Sequence, residues 1–314
     1  MNKTKNQHYI PQMYMKRFGY GLLKNRKISV LKKRESSVLD GQNVENFASK
    51  RFFYDTSKEK LEKYLEEIFQ LRPGISTHIN LDDPQFVEHA LSREEAAIND
   101  LLNVLQNNLS AIRKESNMAK MIEFLHTMAY RTKSYRDTLE YINQKTIDVI
   151  GQMCDSLGLS NEVKESEIER LCQSGKDTQL QQIIEIAPML QTMVFLSENY
   201  DWYEAYNNTD FDFVISDNPF QTIIMGFNDI CVPISNSKAL VLRVKDKDAQ
   251  LISKDMPVNG KIQLSTKSVI AYNMLQLGMA QHYLFGTKES IAYMKRINDC
   301  IMDLTDLSPC GGEA

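Results

Sequence analysis

No stretch of the chain approaches the roughly 18 consecutive apolar residues that a membrane-crossing helix needs, so no transmembrane segment is expected. The N-terminal MNKTKNQHY has no apolar run behind its lysines, which excludes a secretory signal. Cysteine is sparse and scattered. The five residues Cys154, Cys172, Cys231, Cys300 and Cys310 are odd in number and form no CxxC pair. That argues against a zinc ribbon or a disulfide framework and fits a reducing cytoplasm. Strong charge is lacking too. The net charge is -4 and the pI about 5.8, so a globally basic face for nucleic acid is excluded, while a local basic patch is not. GxGxxG, GxxxxGK[ST], GxSxG and HExxH are all absent, which removes the usual support for dinucleotide, P-loop, serine-hydrolase and zincin chemistry. There is no internal repeat and no low-complexity linker.

What remains is an ordinary globular composition, 42% hydrophobic and 25% charged over 314 residues. "KISVLKK", 27–33, alternates as a brief strand. "KLEKYLEEIFQL", 60–71, has helical spacing and stops at Pro73-Gly74. Helices are predicted over 84–109, where Phe86, Leu91, Ile98, Leu102 and Leu105 trace one face, and as one long pattern over 117–154. Another follows in "NEVKESEIERLC". A further one in "DTQLQQIIEIAPMLQTMVFLSE" is kinked or broken by Pro188. Near residue 200 the period changes to 2. Strands near 202–206, 211–215, 230–234 and 239–244, joined by short polar turns, predict one antiparallel sheet. Helices return over 265–286, capped by Ser265 or Thr266, and over "KESIAYMKRINDCIMDL". The fold class is α+β, mostly helical, with a small antiparallel sheet in the C-terminal half. The expected organisation is one domain over 1–286, then a C-terminal helix and a mobile tail over 287–314.

Three segments concentrate chemistry. "NQHYIPQMYMKRFGYG", 6–21, sets His8, Tyr9, Gln12 and Arg17 ahead of any core segment. Pro11 pushes Ile10 toward extended backbone, and "QMYMKRF" can then begin a helix that groups Gln12 with Lys16. Read as a site, His8 is an acid/base or ligand, Gln12 a polar orienter and Arg17 an anion clamp. Read as structure, Tyr9, Tyr14 and Phe18 pack and the polar groups face water. In "FDFVISDNPF", 211–220, a strand ends in Ser216-Asp217-Asn218-Pro219, either a rigid platform for chemistry or an Asx turn. "HTMAYRTKSYRD", 126–137, could bind an anion through Arg131, or be an exposed helix turn in which His126 simply packs. Glu45, Glu88, Glu94 and Glu95 are acidic. Glu88 and Glu95 share a helix side, and any of the four could face a site.

Taken in order, "QHYIPQMYMKRF", "FASKRFFYD", "LSREEAAINDLL", "FLHTMAYRTKSYR" and "FVISDNPF" resemble the prokaryotic family called domain of unknown function 4238. The resemblance spans about residues 6 to 285. It maps onto His8, Tyr9, Pro11, Gln12, Arg17 and Phe18, then Arg131 and Thr132, then Ser216 to Pro219. It implies a common architecture and a shared polar set converging on one pocket, and it names no reaction. From the types of residue in these motifs, the expected function is a hydrolase of a phosphate-containing substrate, nuclease-like. His8, Gln12, Asp217 and Asn218 are its catalytic set, and Tyr9, Arg17 and Arg131 bind substrate. Asp217 orients His8 and pairs with Arg131, or binds a divalent metal with Asn218. The alternatives are a module that binds nucleic acid or a phosphate-containing ligand without turnover, and a structural interaction protein whose motifs lock the N-terminal segment in place.

Overall fold

The computed structural model describes residues 3–22, 25–71, 80–246 and 248–306. The expected helix stop at Pro73-Gly74 and the C-terminal tail lie outside them. The chain opens with strand β1 (Asn6–His8) and the single turn α1 (Gln12–Met15), then strands β2 (Ile28–Lys32), β3 (Ser37–Gln42) and β4 (Ser49–Arg51). A helical section follows: α2 (Lys58–Leu71), α3 (Phe86–Asn107), α4 (Glu115–Tyr130), α5 (Lys133–Ser156), α6 (Asn161–Leu171), α7 (Gly175–Ile184) and α8 (Ile186–Asn199). Next come β5 (Tyr200–Asn207), β6 (Ile215–Ser216), α9 (Gln221–Ile224), β7 (Asp229–Ser235) and β8 (Lys238–Val244). The last elements are β9 (Lys261–Leu264), α10 (Thr266–Met279), β10 (Tyr283–Gly286) and α11 (Lys288–Asp306). No helix among the described residues is long and apolar enough to cross a membrane.

Helix dominates, as expected, but sheet is not confined to the C-terminal half. β1 pairs with β4, and a second sheet runs β3-β2-β10-β6. β2 is buried along nearly its whole length, so it needs a partner on each edge. One is its hairpin neighbour β3, and the other is β10, which arrives 250 residues later in the chain. The third sheet, β7-β8-β5-β9, contains three of the four expected strands, and its β5–β9 pair is parallel.

The fourth expected strand, 211–215, does not join that sheet. Only Ile215–Ser216 form a ladder, and they pair with β10. Phe213, Val214 and Ile215 are all fully buried, so the alternation does not mark a one-sided strand. Helix α10 supplies the missing partners: Val214 donates its N–H to Asn273 Oδ1 at 3.1 Å and Ser216 to Gln276 Oε1 at 2.9 Å. Asn273 and Gln276 lie three apart on that helix, which matches the spacing of alternate amides in extended chain.

The long helical patterns are subdivided where local chemistry demands it. The 117–154 pattern breaks at Arg131-Thr132, because Thr132 turns extended and its hydroxyl caps Tyr135 N–H at 3.2 Å. The break before Pro188 falls at Glu185, which leaves Pro188 in the first turn of α8, where its missing N–H costs no ladder bond. Ser265 caps α10 through Ser268 N–H. That helix ends at Met279 rather than 286, and Tyr283–Gly286 become β10 instead.

The N-terminal segment is packed, not loose. Tyr14 is fully buried between Phe18, Phe124 and Phe220, with ring centroids 5.3 to 6.0 Å away, and its hydroxyl donates to Pro233 O at 2.7 Å. Burial of Tyr14, Phe18 and Ile10 contributes roughly 1.5–3 kcal/mol per side chain.

Candidate functional site

Pro11 (φ -56°, ψ 132°) separates β1 from α1 and accepts N–H bonds from Tyr14 and Met15. One helical turn then divides the segment by face. Tyr14, Met15 and Phe18 enter the core, while Gln12 and Lys16, four apart, look out over a cleft of about 560 Å³. The cleft is also lined by Asn25, Arg26, Lys27, Asn43, Val44 and Glu45.

His8 stands beside this cleft, partly buried. Its Nε2 lies 3.2 Å from the Glu45 carbonyl, which can only accept, so Nε2 carries the proton and Nδ1 keeps its lone pair. Gln12 Nε2 sits 3.5 Å from the ring nitrogens. Burial holds the imidazole below its usual range and Arg131 adds to this, against the pull of the Glu45 carbonyl and the Glu95 and Glu45 carboxylates. The ring is neutral at pH 7.

Behind His8 lies the acidic face of α3. Glu95 forms an ion pair with Arg131 at 2.8 Å. Burial pushes both Glu88 and Glu94 up to about 7, with Arg131 pulling the other way. Of the four acidic candidates, Glu45 and Glu95 are the two whose charges act on the His8 ring. Arg131 is buried, and donates to the His8 carbonyl at 2.6 Å and to Tyr54 Oη at 3.3 Å. Burial opposes its charge, but Tyr54 and Glu95 outweigh that and keep it protonated.

The expected pairing of Arg131 with Asp217 is replaced by Arg131 with Glu95. Asp217 is 2% exposed, and its two oxygens accept the N–H groups of Gln281 (2.8 Å) and His282 (3.0 Å). Burial raises its pKa, and those amides are what oppose the rise. Asn218 accepts from Thr132 Oγ1 at 3.0 Å and donates to Met279 O at 3.4 Å. Among the described residues no group of three or more His, Cys, Asp or Glu is arranged to hold a metal ion.

Arg17 is buried against α3, where it donates to Gln106 Oε1 (2.9 Å), Asn99 Oδ1 (3.0 Å) and Asn103 Oδ1 (2.6 Å). Tyr9 is buried against Phe53. Burial raises its hydroxyl pKa and the nearby Asp217 charge raises it further. His126 packs, bonded to Thr192 Oγ1 and the Gln182 carbonyl.

The structure thus joins the motifs through buried links: His8 carbonyl to Arg131, and Thr132 to Asn218. It does not join the His8 ring to the Asp217 carboxylate. Of the cleft cations, Lys16 was grouped with Gln12 from the sequence, while Arg26 and Lys27 were missed. Their signal in the sequence is the run Asn25-Arg26-Lys27 just after a glycine turn.

The chain belongs to the family described as a protein of unknown function (DUF4238), whose family model matches residues 6–290. The match takes in the His8 segment, the Arg131-Thr132 break and the Ser216–Pro219 turn. No curated protein and no solved structure matches the chain.

Proposed function

We propose that the protein hydrolyses a phosphate-containing substrate, with His8 as general base. The observation that supports this most is the placement of His8. A neutral imidazole, whose Nδ1 lone pair meets the Gln12 amide only at the long distance of 3.5 Å, is held by the Glu45 carbonyl at the wall of a cleft carrying three cations. In this reading the phosphate sits in the cleft and Nδ1 takes a proton from the attacking water. The new P–O bond forms as the ester P–O bond breaks, and the leaving oxygen takes up a proton. Gln12 orients the ring or the water. Arg131, Asp217, Asn218, Tyr9 and Arg17 then act as positioning groups rather than as reacting ones.

A panel of phosphomonoesters, phosphodiesters and oligonucleotides tests this, with and without added divalent metal. His8→Ala should lower kcat by about 10²-fold or more. No turnover by the wild type, or full turnover by His8→Ala, defeats the reading. The rival is a binding module. It is favoured by the commitment of Arg17, Arg131, Asp217 and Asn218 to buried hydrogen bonds. Saturable binding without turnover selects it.

A further inference from the structure

We infer that the Lys16–Arg26–Lys27 cleft is a receptor for a compact terminal phosphate or diphosphate on a small molecule, and not a track for a nucleic-acid strand. This rests in part on the proposed reading, because it names that site's substrate class, but the binding it describes does not require catalysis.

Charge comes first. Lys16, Arg26 and Lys27 face one carboxylate, Glu45, in the lining. Among the described residues none of the three cations is in an ion pair. Lys27 Nζ donates instead to neutral Asn43 Oδ1 at 2.6 Å. Cations at an open cleft whose charge no carboxylate offsets are available to an anion. A phosphate is such an anion.

A second cleft of about 320 Å³ shows the contrast. It too has two lysines, Lys60 and Lys176. Lys60 is paired with Asp177 at 2.5 Å and Lys176 donates to the Asp55 carbonyl at 2.5 Å. Its cations are already answered within the fold.

Construction comes second. Tyr20 and Lys27 exchange backbone hydrogen bonds at 2.8 and 3.0 Å, which closes the turn that carries Asn25 and Arg26. Gly19 allows that turn to lie close: a Cβ there would sit 2.4 Å from the Lys27 carbonyl and 3.3 Å from the Arg26 stem. From Lys27 a chain of contacts leads inward. Asn43 Nδ2 donates to Glu45 Oε1 at 3.3 Å, and the Glu45 carbonyl accepts from His8. The cationic receptor and the imidazole are thereby held in fixed relation.

Lining chemistry decides the class. Among the described residues lining the cleft, Val44 is the one apolar side chain and none is aromatic. Proteins that hold single strands stack bases on aromatic rings along an extended basic groove. This cleft offers charge and amide donors at one spot and no stacking surface.

Calorimetric titration of the full chain with inorganic phosphate, pyrophosphate and a single-stranded oligonucleotide lacking terminal phosphate tests the inference. Circular dichroism and melting curves confirm that each variant is folded. Pyrophosphate should bind saturably. Arg26→Gln and Lys27→Gln should each weaken it by about tenfold or more, and His8→Ala should change it by less than about threefold. If pyrophosphate binds in this way but no phosphate ester is turned over, the receptor stands and the catalytic reading falls. Absence of saturable binding overturns the inference. So does binding indifferent to an Arg26→Gln/Lys27→Gln double substitution, or tighter binding of the unphosphorylated oligonucleotide.

Discussion

Cations on the two sides of the His8 segment are held in opposite ways. Arg17 and Arg131 are buried and each donates to acceptors on three other residues. Lys16, Arg26 and Lys27 border open space, and among the described residues none of them is paired with a carboxylate. Both sets would look like anion clamps in a residue count. What separates them is whether the fold has already answered the charge. An arginine whose terminal nitrogens are already answered by acceptors in the fold is a structural tie, whereas a cation beside an open cleft with no carboxylate partner among the described residues is available to a ligand.

The largest effect expected from this comparison is on the buried side. Arg131→Ala removes the partner of Glu95 and the donors to the His8 carbonyl and Tyr54. Breaking a buried pair costs about 3–5 kcal/mol. Glu95's side chain is 28% exposed, so water recovers part of the loss, and the lower end, about 3 kcal/mol, is expected. Urea denaturation gives the value. A loss under about 1 kcal/mol would erase the distinction between the two sides.

Asp217→Asn comes next. The carboxylate accepts two backbone amides, and an asparagine offers one oxygen while turning an NH₂ toward the other N–H. One buried donor is left unpaired, which costs about 1–3 kcal/mol. The site hypothesis built on sequence alone predicts the opposite, a weakened site with little change in stability. Phosphate binding by the folded variant, unchanged within about threefold, should decide for the structural role.

How much could be read beforehand follows from these residues. The helices carry a 3.6 period, so α2, α3, α10 and α11 could be placed along the chain, though α10 is cut short where β10 begins. Strand pairing over long separations leaves no local mark. Nothing near β2 announces β10, and nothing in 211–215 announces that Asn273 and Gln276 would take its amides. The motif segments were recognisable because unusual polar residues stand next to Pro11 and Pro219. Their roles were not recognisable, since the same Arg or Asp serves a pocket or a tie depending on partners from distant elements. Arg26 and Lys27 escaped notice because a short cationic run in a turn is ordinarily a solvated one.

On the cleft side, stability should barely respond. His8→Ala removes the ring's hydrogen bonds to the Glu45 carbonyl and Gln12 at a partly exposed ring, and Arg26→Gln removes none that is made among the described residues. Losses of about 1 kcal/mol or less and about 0.5 kcal/mol or less are expected by thermal unfolding. A larger loss for Arg26→Gln would mean that its charge is answered inside the protein after all.

A further effect is one of pH, and it probes the acidic face between the two sides. Burial raises Glu94 and Glu88 to about 7, against an unfolded value of about 4.3. The folded chain therefore binds more protons than the unfolded one between those limits. By linkage, their contribution to stability is present below about pH 4.3 and is lost as pH rises toward 7. His8 and His126, whose pKa values are lowered by burial, act in the opposite sense: their contribution is present above about pH 6.5 and is lost as pH falls. Raw curves thus mix the two, and the difference between wild type and Glu94→Gln cancels the histidines. Glu94 also faces Thr127, Arg131, Glu123 and Glu95, so the glutamine keeps a hydrogen bond to Thr127 while losing the titration. The variant should gain stability relative to wild type as pH rises from 4.5 to 7, and the difference should level off above that. A difference that is flat across this range would place Glu94 in water and leave Arg131 balanced by Glu95 alone.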